Sequence, residues 1–538
     1  MMKKTIKKLL AALLAVAMVC AMAIPAFAFE SWETEEDLNK NHDYIAFQIF
    51  KGVISKDNPT LFGVDWGQHI PDDEDFLTQL KGADTIGTLF TKANSAQDVL
   101  KVISTWHDSD NDSIAFARFV CHYLYSKGDP KSSIVGGGGA IKIPEPGYYL
   151  IVDNIDFSNG DYYHAYNSFL LVNDTNQGEY NVIINHKVVK PTVEKKVYDN
   201  DNNDISSAGG WGSSADHAIN EKFQFQLIAK LPASKDNGRA YDYYDKYTVC
   251  FNDTLSAGIT FDNLDTVKIA NVDGDNSKEI TNYKFDDTDL HEAGHPTSFK
   301  LSIDDVKTCA AAAGLNLNDG ATITVTYTAH LNENAYVNAA GGPTDNNNSV
   351  FLQYSNNPIN TSVGQTPESK VCVYTYQLNN TKYHDDDNPN NVLAGAGFRL
   401  YSDEACHDED EIKLKMNDDG TYSRDFSTEG KGVEMISGQD GQFNVKGLDA
   451  GTYYLRETKT PDDYSACPDK EIVISATHDV NHVSLSGDLN NKIINKKAGG
   501  ITLPSTGGIG TTLFYVVGGG LMVAAIVLLV TKKRMENK

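Results

Sequence analysis

Gly447-Leu448-Asp449-Ala450-Gly451-Thr452-Tyr453-Tyr454-Leu455-Arg456-Glu457-Thr458 reads as a glycine-bounded turn running into a strand. Side chains alternate across a strand, so Tyr453, Leu455 and Glu457 share one face while Tyr454 and Arg456 take the other. The apolar pair carries Glu457 inward, where a carboxyl group needs a partner. The same alternation, broken by Gly, Asn and Asp, recurs at 148–152, 180–184, 223–228, 322–327 and 350–354. Many short period-two runs with few helical ones predict a mainly β chain of tandem sandwich domains. The exception is 95–127, where Val99, Val102, Ile103 and Trp106, then Phe116, Phe119, Val120 and Tyr123, fall at helical spacing. Two helices are expected in the first domain.

The ends carry addresses. Lys3, Lys4, Lys7 and Lys8 precede an apolar run from Leu9 to Ile24 and then Ala26-Phe27-Ala28, the composition of a secretory signal cut after Ala28. At the other end stand Leu503, Pro504, Ser505, Thr506 and Gly507, an uncharged apolar stretch over 513–530, and Lys532, Lys533 and Arg534. That stretch suffices to span a bilayer as a helix, and the basic cluster would hold its end inside. This C-terminal pattern resembles the LPxTG cell-wall sorting signal of Gram-positive surface proteins. The resemblance implies that a sortase cysteine cuts between Thr506 and Gly507 and hands the Thr506 carbonyl to an amine.

The formal charge of −27 becomes more negative once the basic signal and tail are removed. Such a surface repels nucleic acid and suits an extracellular protein. Of the seven cysteines, Cys20 leaves with the signal; Cys121, Cys250, Cys309, Cys372, Cys406 and Cys467 remain, without a C-x-x-C pair. No zinc ribbon is expected, and disulfides are permitted outside the cell. Pro191 opens a new strand, 356–368 is rich in Asn, Pro, Thr and Gly, and 498–500 is Ala-Gly-Gly. The expected division is a signal peptide 1–28, a first domain 29–186, a second 187–368, a third 369–498 and a sorting segment 499–538.

In Pro191-Thr192-Val193-Glu194-Lys195-Lys196-Val197, period two places Lys195 with Val193 and Val197 on the core face. Burial pushes a lysine toward its neutral, nucleophilic form. Asp253 shares a face with Val249, Phe251 and Leu255, and Asn348 with Val350, Leu352 and Tyr354. A lysine, a carboxyl and a carboxamide in apolar surroundings are the ingredients of an isopeptide bond: the amine attacks the Asn carbonyl, a protonated carboxyl polarises it and shuttles protons, and ammonia leaves. The segments 253–261 and 348–356 resemble the Cna-A-like module of Gram-positive backbone pilins. That resemblance implies a Lys195–Asn348 bond assisted by Asp253.

The third domain has Leu393-Ala394-Gly395-Ala396-Gly397-Phe398-Arg399-Leu400-Tyr401 ahead of the 447–458 stretch, with Pro461 and Tyr464 after it. These residues resemble the Cna-B-like (SpaA-type) domain of the same pilins. The resemblance implies an Ig-like sandwich with Lys382 joined to Asn495, Glu457 assisting, and a disulfide of Cys406 with Cys467. Pairing of Cys121, Cys250, Cys309 and Cys372 stays open.

A pilus shaft also needs an acceptor amine at the end of the first domain. In Ile184-Asn185-His186-Lys187-Val188-Val189-Lys190-Pro191 the resemblance points to Lys187, with Lys190 as the alternative. The expected role is a structural shaft subunit, not an enzyme beyond single-turnover self-crosslinking, without cofactor or metal. A class C pilus sortase would polymerise it and a housekeeping sortase attach it to peptidoglycan. Its partners would be copies of itself, minor pilins and a surface ligand that the sequence does not identify. A monomeric wall-anchored adhesin would share the anchor and the modules. A secreted zinc protease would need His291 and His295 of an HExxH pattern on one helix, which Gly294 and Pro296 oppose.

Overall fold

The computed structural model describes residues 43–54, 61–106, 111–127, 134–137, 140–143, 145, 147–153, 167–172, 180–183, 191–200, 210–232, 241, 244–272, 276–290, 294–318, 320–337, 346–358, 361–426, 432–498, 521–523, 525–530 and 532–533. The chain is mainly β, as the alternation predicts, and its buried residues form three successive cores. The signal peptide and the sorting motif lie outside the described residues.

In the first module β1 (Asp43–Ile54) pairs antiparallel with β2 (Leu61–Trp66) and β3 (Gly147–Asp153), and β3 with β4 (Asn167–Val172). Helices α1 (Asp73–Lys81), α2 (Ala96–Ile103) and α3 (Asn111–Ser126) pack on this sheet. The last two match the helical spacing over 95–127. The first was not expected, because its apolar positions are only Phe76, Leu77 and Leu80 between acidic residues. Its signal was the cap: Asp72 accepts from the Asp75 amide at 3.0 Å, acidic residues fill the first turn and Lys81 the last. Phe76 then wedges against Trp66 and Tyr123, with centroids 5.1 and 4.9 Å away.

The second module is a two-sheet sandwich. One sheet contains β5 (Thr192–Tyr198), β6 (Lys222–Lys230), β8 (Ile259–Ala270) and β10 (Thr322–Leu331); the other contains β7 (Val249–Leu255), β9 (Thr297–Ile303), β11 (Asn346–Ser355) and β12 (Ser369–Tyr374). Helix α4 (Val306–Ala312) caps one end of the core. β5 begins one residue after Pro191, as expected. Alternation is strict in β10 and β11, where every second residue is buried.

The third module is a second sandwich. β13 (Tyr376–His384) lies between β15 (Val445–Leu448) and β19 (Asn490–Lys497), facing β14 (Gly397–Tyr401), β16 (Gly451–Lys459), β17 (Lys470–His478) and β18 (Val483–Gly487). β13 and β19, its first and last strands, pair parallel, with Lys382 opposite Ile493 and His384 opposite Asn495.

The boundary before the third module falls later than 368. β12 pairs antiparallel with β11 and parallel with a short strand, Ser214–Asp216, and so completes the second module. The Asn- and Pro-rich segment after β11 is a hairpin connection rather than a linker, since Val363–Gln365 pairs back onto β11. Thr375 alone separates β12 from β13. Across this junction the Ile219 amide donates to the Gly447 carbonyl at 2.9 Å. Gly447 has φ +73, and a Cβ there would meet Ile219 at 2.4 Å, so the close approach requires glycine. First and second modules touch through α3, where Arg118 Nε lies 3.0 Å from Asp245.

Candidate functional site

Two buried clusters of lysine, acid and asparagine form, one in each sandwich. In the second module β5 carries Lys195 between Val193 and Val197, and the side chain crosses the core from one sheet to the other. Lys195, Asp253 and Asn348 are 3%, 1% and 0% exposed. The Lys195 ammonium donates to Asp253 Oδ2, and lies 3.1 Å from the Tyr327 hydroxyl. Tyr327 stands 3.1 Å from Asp253 Oδ1 and accepts from Asn348 Nδ2. The hydroxyl therefore bridges the acid to the carboxamide, which the acid itself does not touch. Asn348 Oδ1 is buried and accepts no hydrogen bond in this arrangement.

The walls are aromatic. Lys195 Nζ lies 5.3 and 5.4 Å from the ring centres of Phe225 and Tyr327, and Phe261 and Phe299 pack against Tyr327, the first tilted and the second edge-on. Burial there lowers the Lys195 pKa to about 8, against the opposing pull of Asp253, and raises that of Asp253 above the usual carboxylate value. Both shifts favour the neutral pair, an amine nucleophile beside a protonated carboxyl.

In the third module β13 brings Lys382, β19 Asn495 and β16 Glu457, the residue that the alternation of 453–457 turns inward. All three side chains are buried. Lys382 Nζ donates to Asn495 Oδ1, Asn495 Nδ2 donates to Glu457 Oε1 at 2.7 Å, and the lysine nitrogen is 4.0 Å from the same oxygen. The amine thus sits at the carbonyl while the acid holds the amide nitrogen that would leave as ammonia. Burial lowers the Lys382 pKa, opposed by Cys467 and Glu457.

Two contributors were missed from sequence. Tyr327 was legible in principle, since it continues the buried alternation Ile323, Val325, Tyr327 on β10. Cys467 has no such pattern, yet its amide donates to Glu457 Oε2 at 2.8 Å and its thiol reaches Lys382.

The expected Cys406–Cys467 disulfide is not formed; both are free thiols, as are Cys250 and Cys309. The reason lies in β16. Cys406 sits on the Arg456 side, its carbonyl accepting from Arg456 Nη1 at 3.1 Å, whereas Cys467 sits on the Glu457 side. Adjacent residues of a strand face opposite ways, so the strand separates the two sulfurs.

Lys187, Lys190, Leu503, Pro504, Ser505, Thr506 and Gly507 lie outside the described residues, as does His291. His295 is described and precedes β9, whose first residue is Thr297, and Gly294 has φ +83. That backbone is incompatible with an α-helix through the HExxH pattern, so the geometry does not favour a zinc-protease helix. Of the apolar C-terminal stretch, 521–523 and 525–530 are helical with exposed side chains. Among the described residues no helix is long and apolar enough to cross a membrane.

Residues 379–488 match the SpaA prealbumin-like fold domain, and residues 495–537 the LPXTG cell wall anchor motif. The chain is a cell-wall-anchored surface protein. No curated protein matches it. Similar solved structures include the group B streptococcus pilus 2b backbone protein, at 23% identity over 53% of this chain and 96% of that one, TM-score 0.38. Others are the T6 backbone pilin of serotype M6 Streptococcus pyogenes (14%, 86% and 97%, 0.41) and BcpA, the major pilin subunit of Bacillus cereus (18%, 69% and 89%, 0.36).

Proposed function

We propose that this cell-wall-anchored protein is the shaft subunit of a covalent surface pilus. A class C sortase joins Thr506 of one subunit to Lys187 of the next, with Lys190 as the alternative acceptor. A housekeeping sortase attaches the finished fibre, with its minor pilins, to peptidoglycan, where it supports adhesion. The observation that carries this reading is the pair of buried lysine, acid and asparagine clusters, each with its amine beside the acid or the carbonyl it would use. Free-standing enzymes have no use for two separate single-turnover sites in successive sandwiches, whereas a subunit under tension gains from each.

In each cluster the step balances within the chain. The lysine nitrogen bonds to the asparagine carbonyl carbon, the C–N bond to the carboxamide nitrogen breaks, and the lysine's surplus proton travels by the acid to the departing ammonia. In the second module Tyr327 completes that route.

The reactive form of the Lys195–Asp253 pair holds a single proton, on the acid. Ammonia release after refolding should therefore fall on the alkaline side above about pH 8, as the pair loses that proton. It should also fall on the acid side, at a pH above the ordinary carboxylate value, as the pair gains a second proton and the amine becomes an ammonium. Mass spectra of refolding samples quenched across the pH range test this; a rate that keeps rising through pH 10 would contradict it.

Polymerisation is tested by incubating the protein with a class C sortase. A ladder of covalent multimers is expected, lost in Lys187→Ala or, if the alternative holds, in Lys190→Ala. A chain that stays single in every sortase reaction while its internal bonds form would instead be a monomeric wall-anchored adhesin.

A further inference from the structure

The junction between the second and third modules holds another buried polar cluster, one that crosslinking does not use. Asp199 follows β5, Asp216 ends the short strand beside β12, and His478 ends β17; they are 1%, 0% and 1% exposed. They come from opposite sides of the junction, 262 residues apart between Asp216 and His478. A ligand-capable atom of each lies within 4.8 Å of the others.

Three features point to a ligand. First, Asp216 is fully buried, and its Oδ2 has no hydrogen-bond partner. Among the described residues, His478 is the only ionic partner of Asp216. A buried carboxylate in that state lacks most of the compensation it needs. Second, His478 is placed as a ligand: Nδ1 lies 2.9 Å from Ser214 Oγ, and in the tautomer whose Nδ1–H donates there the Nε2 lone pair faces the carboxylates. Third, His478 Nε2 and Asp216 Oδ1 are 3.3 Å apart, long for a charge-assisted hydrogen bond. It equals the ligand-to-ligand edge of a tetrahedron with metal bonds of about 2.0–2.1 Å, which is about 3.3 Å.

The neighbouring group of His217, Glu221 and Asp449 differs, because the Arg424 guanidinium stands 3.9 Å from Glu221 and already supplies a cation.

We propose that Asp199, Asp216 and His478 bind one divalent transition-metal ion of the zinc class, which clamps the second module to the third. Two carboxylates and an imidazole balance its charge, and imidazole favours zinc over calcium, which takes oxygen ligands. A water would fill the fourth position. The ion ties the end of β17 to the strand that borders β12.

The test is zinc stoichiometry of the mature secreted chain. After stripping with EDTA and dialysis against zinc, native mass spectrometry should find one zinc per chain. X-ray absorption should report imidazole and oxygen ligands without sulfur. Asp216→Asn and His478→Gln should each weaken binding by more than about 100-fold, beyond the loss typical of a supporting residue. Retained internal crosslinks in their intact masses will show that the variants fold. Failure of the wild-type chain to retain zinc would overturn the proposal, leaving His478 as a simple ionic partner of Asp216. Sulfur in the zinc shell, or unchanged affinity in both variants, would overturn it equally by placing the metal elsewhere.

Discussion

Intact mass of the mature chain is expected to fall short of its sequence by two molecules of ammonia, and by one in either Lys195→Ala or Lys382→Ala. Each lysine is buried against its own acid and asparagine, and the two clusters lie in different sandwiches, so the losses should be independent. The bonds close loops of roughly 150 and 110 residues, and the loop-entropy model gives each about 5 kcal/mol of stabilisation. For the second module that corresponds to a fall in melting temperature of roughly 10–20 °C in the matching variant, and for the smaller third module to a larger one. Calorimetry should show one transition moving while the other stays. A full-length mass with no deficit would remove the crosslinking chemistry from the protein altogether.

Replacing the acids separates chemistry from architecture. Glu457→Gln preserves the shape of the side chain that holds the Asn495 amide nitrogen but removes the carboxyl group that can take up and release a proton. Bond formation in the third module should slow by at least about 100-fold, the range expected for loss of a general acid–base group. Asp253→Asn should do the same in the second module and leave Lys195 without its charge partner. Truncating one member of a buried ion pair costs about 3–5 kcal/mol, so Asp253→Ala should unfold the second module more readily than loss of the bond alone. Unchanged rates of ammonia release in both isosteric variants would show that the acids carry no proton.

Lys195, Asp253, Asn348 and Glu457 were legible because each lies on a strand whose apolar alternation fixes its direction, and the sheets bring those faces together. Tyr327 obeys the same rule, but an aromatic residue in a core needs no special account, so its hydroxyl drew no notice. The Asp199, Asp216 and His478 group was out of reach, because its members sit at element ends, where alternation stops, and meet only across a module junction. The boundary at Thr375 was hidden by composition: the segment after β11 has the residues of a linker and the pairing of a hairpin. The disulfide expectation failed on a directional fact, that Arg456 and Glu457 point to opposite faces of β16.

The strand order of the two sandwiches also sets where a pulled fibre would lengthen. With Lys195 bonded to Asn348 and Lys382 to Asn495, load skips nearly all of both sandwiches and runs along the backbone only from Asn348 to Lys382. That stretch contains the β11–β12 hairpin, gripped at its open end, where Asn348 faces Val371. Antiparallel pairs loaded there separate rung by rung instead of resisting together. Released, the roughly 22 residues between those partners would add about 7 nm per subunit. The fibre would then have a built-in slack of fixed size, let out link by link while the crosslinks keep the rest of each sandwich out of the loaded path.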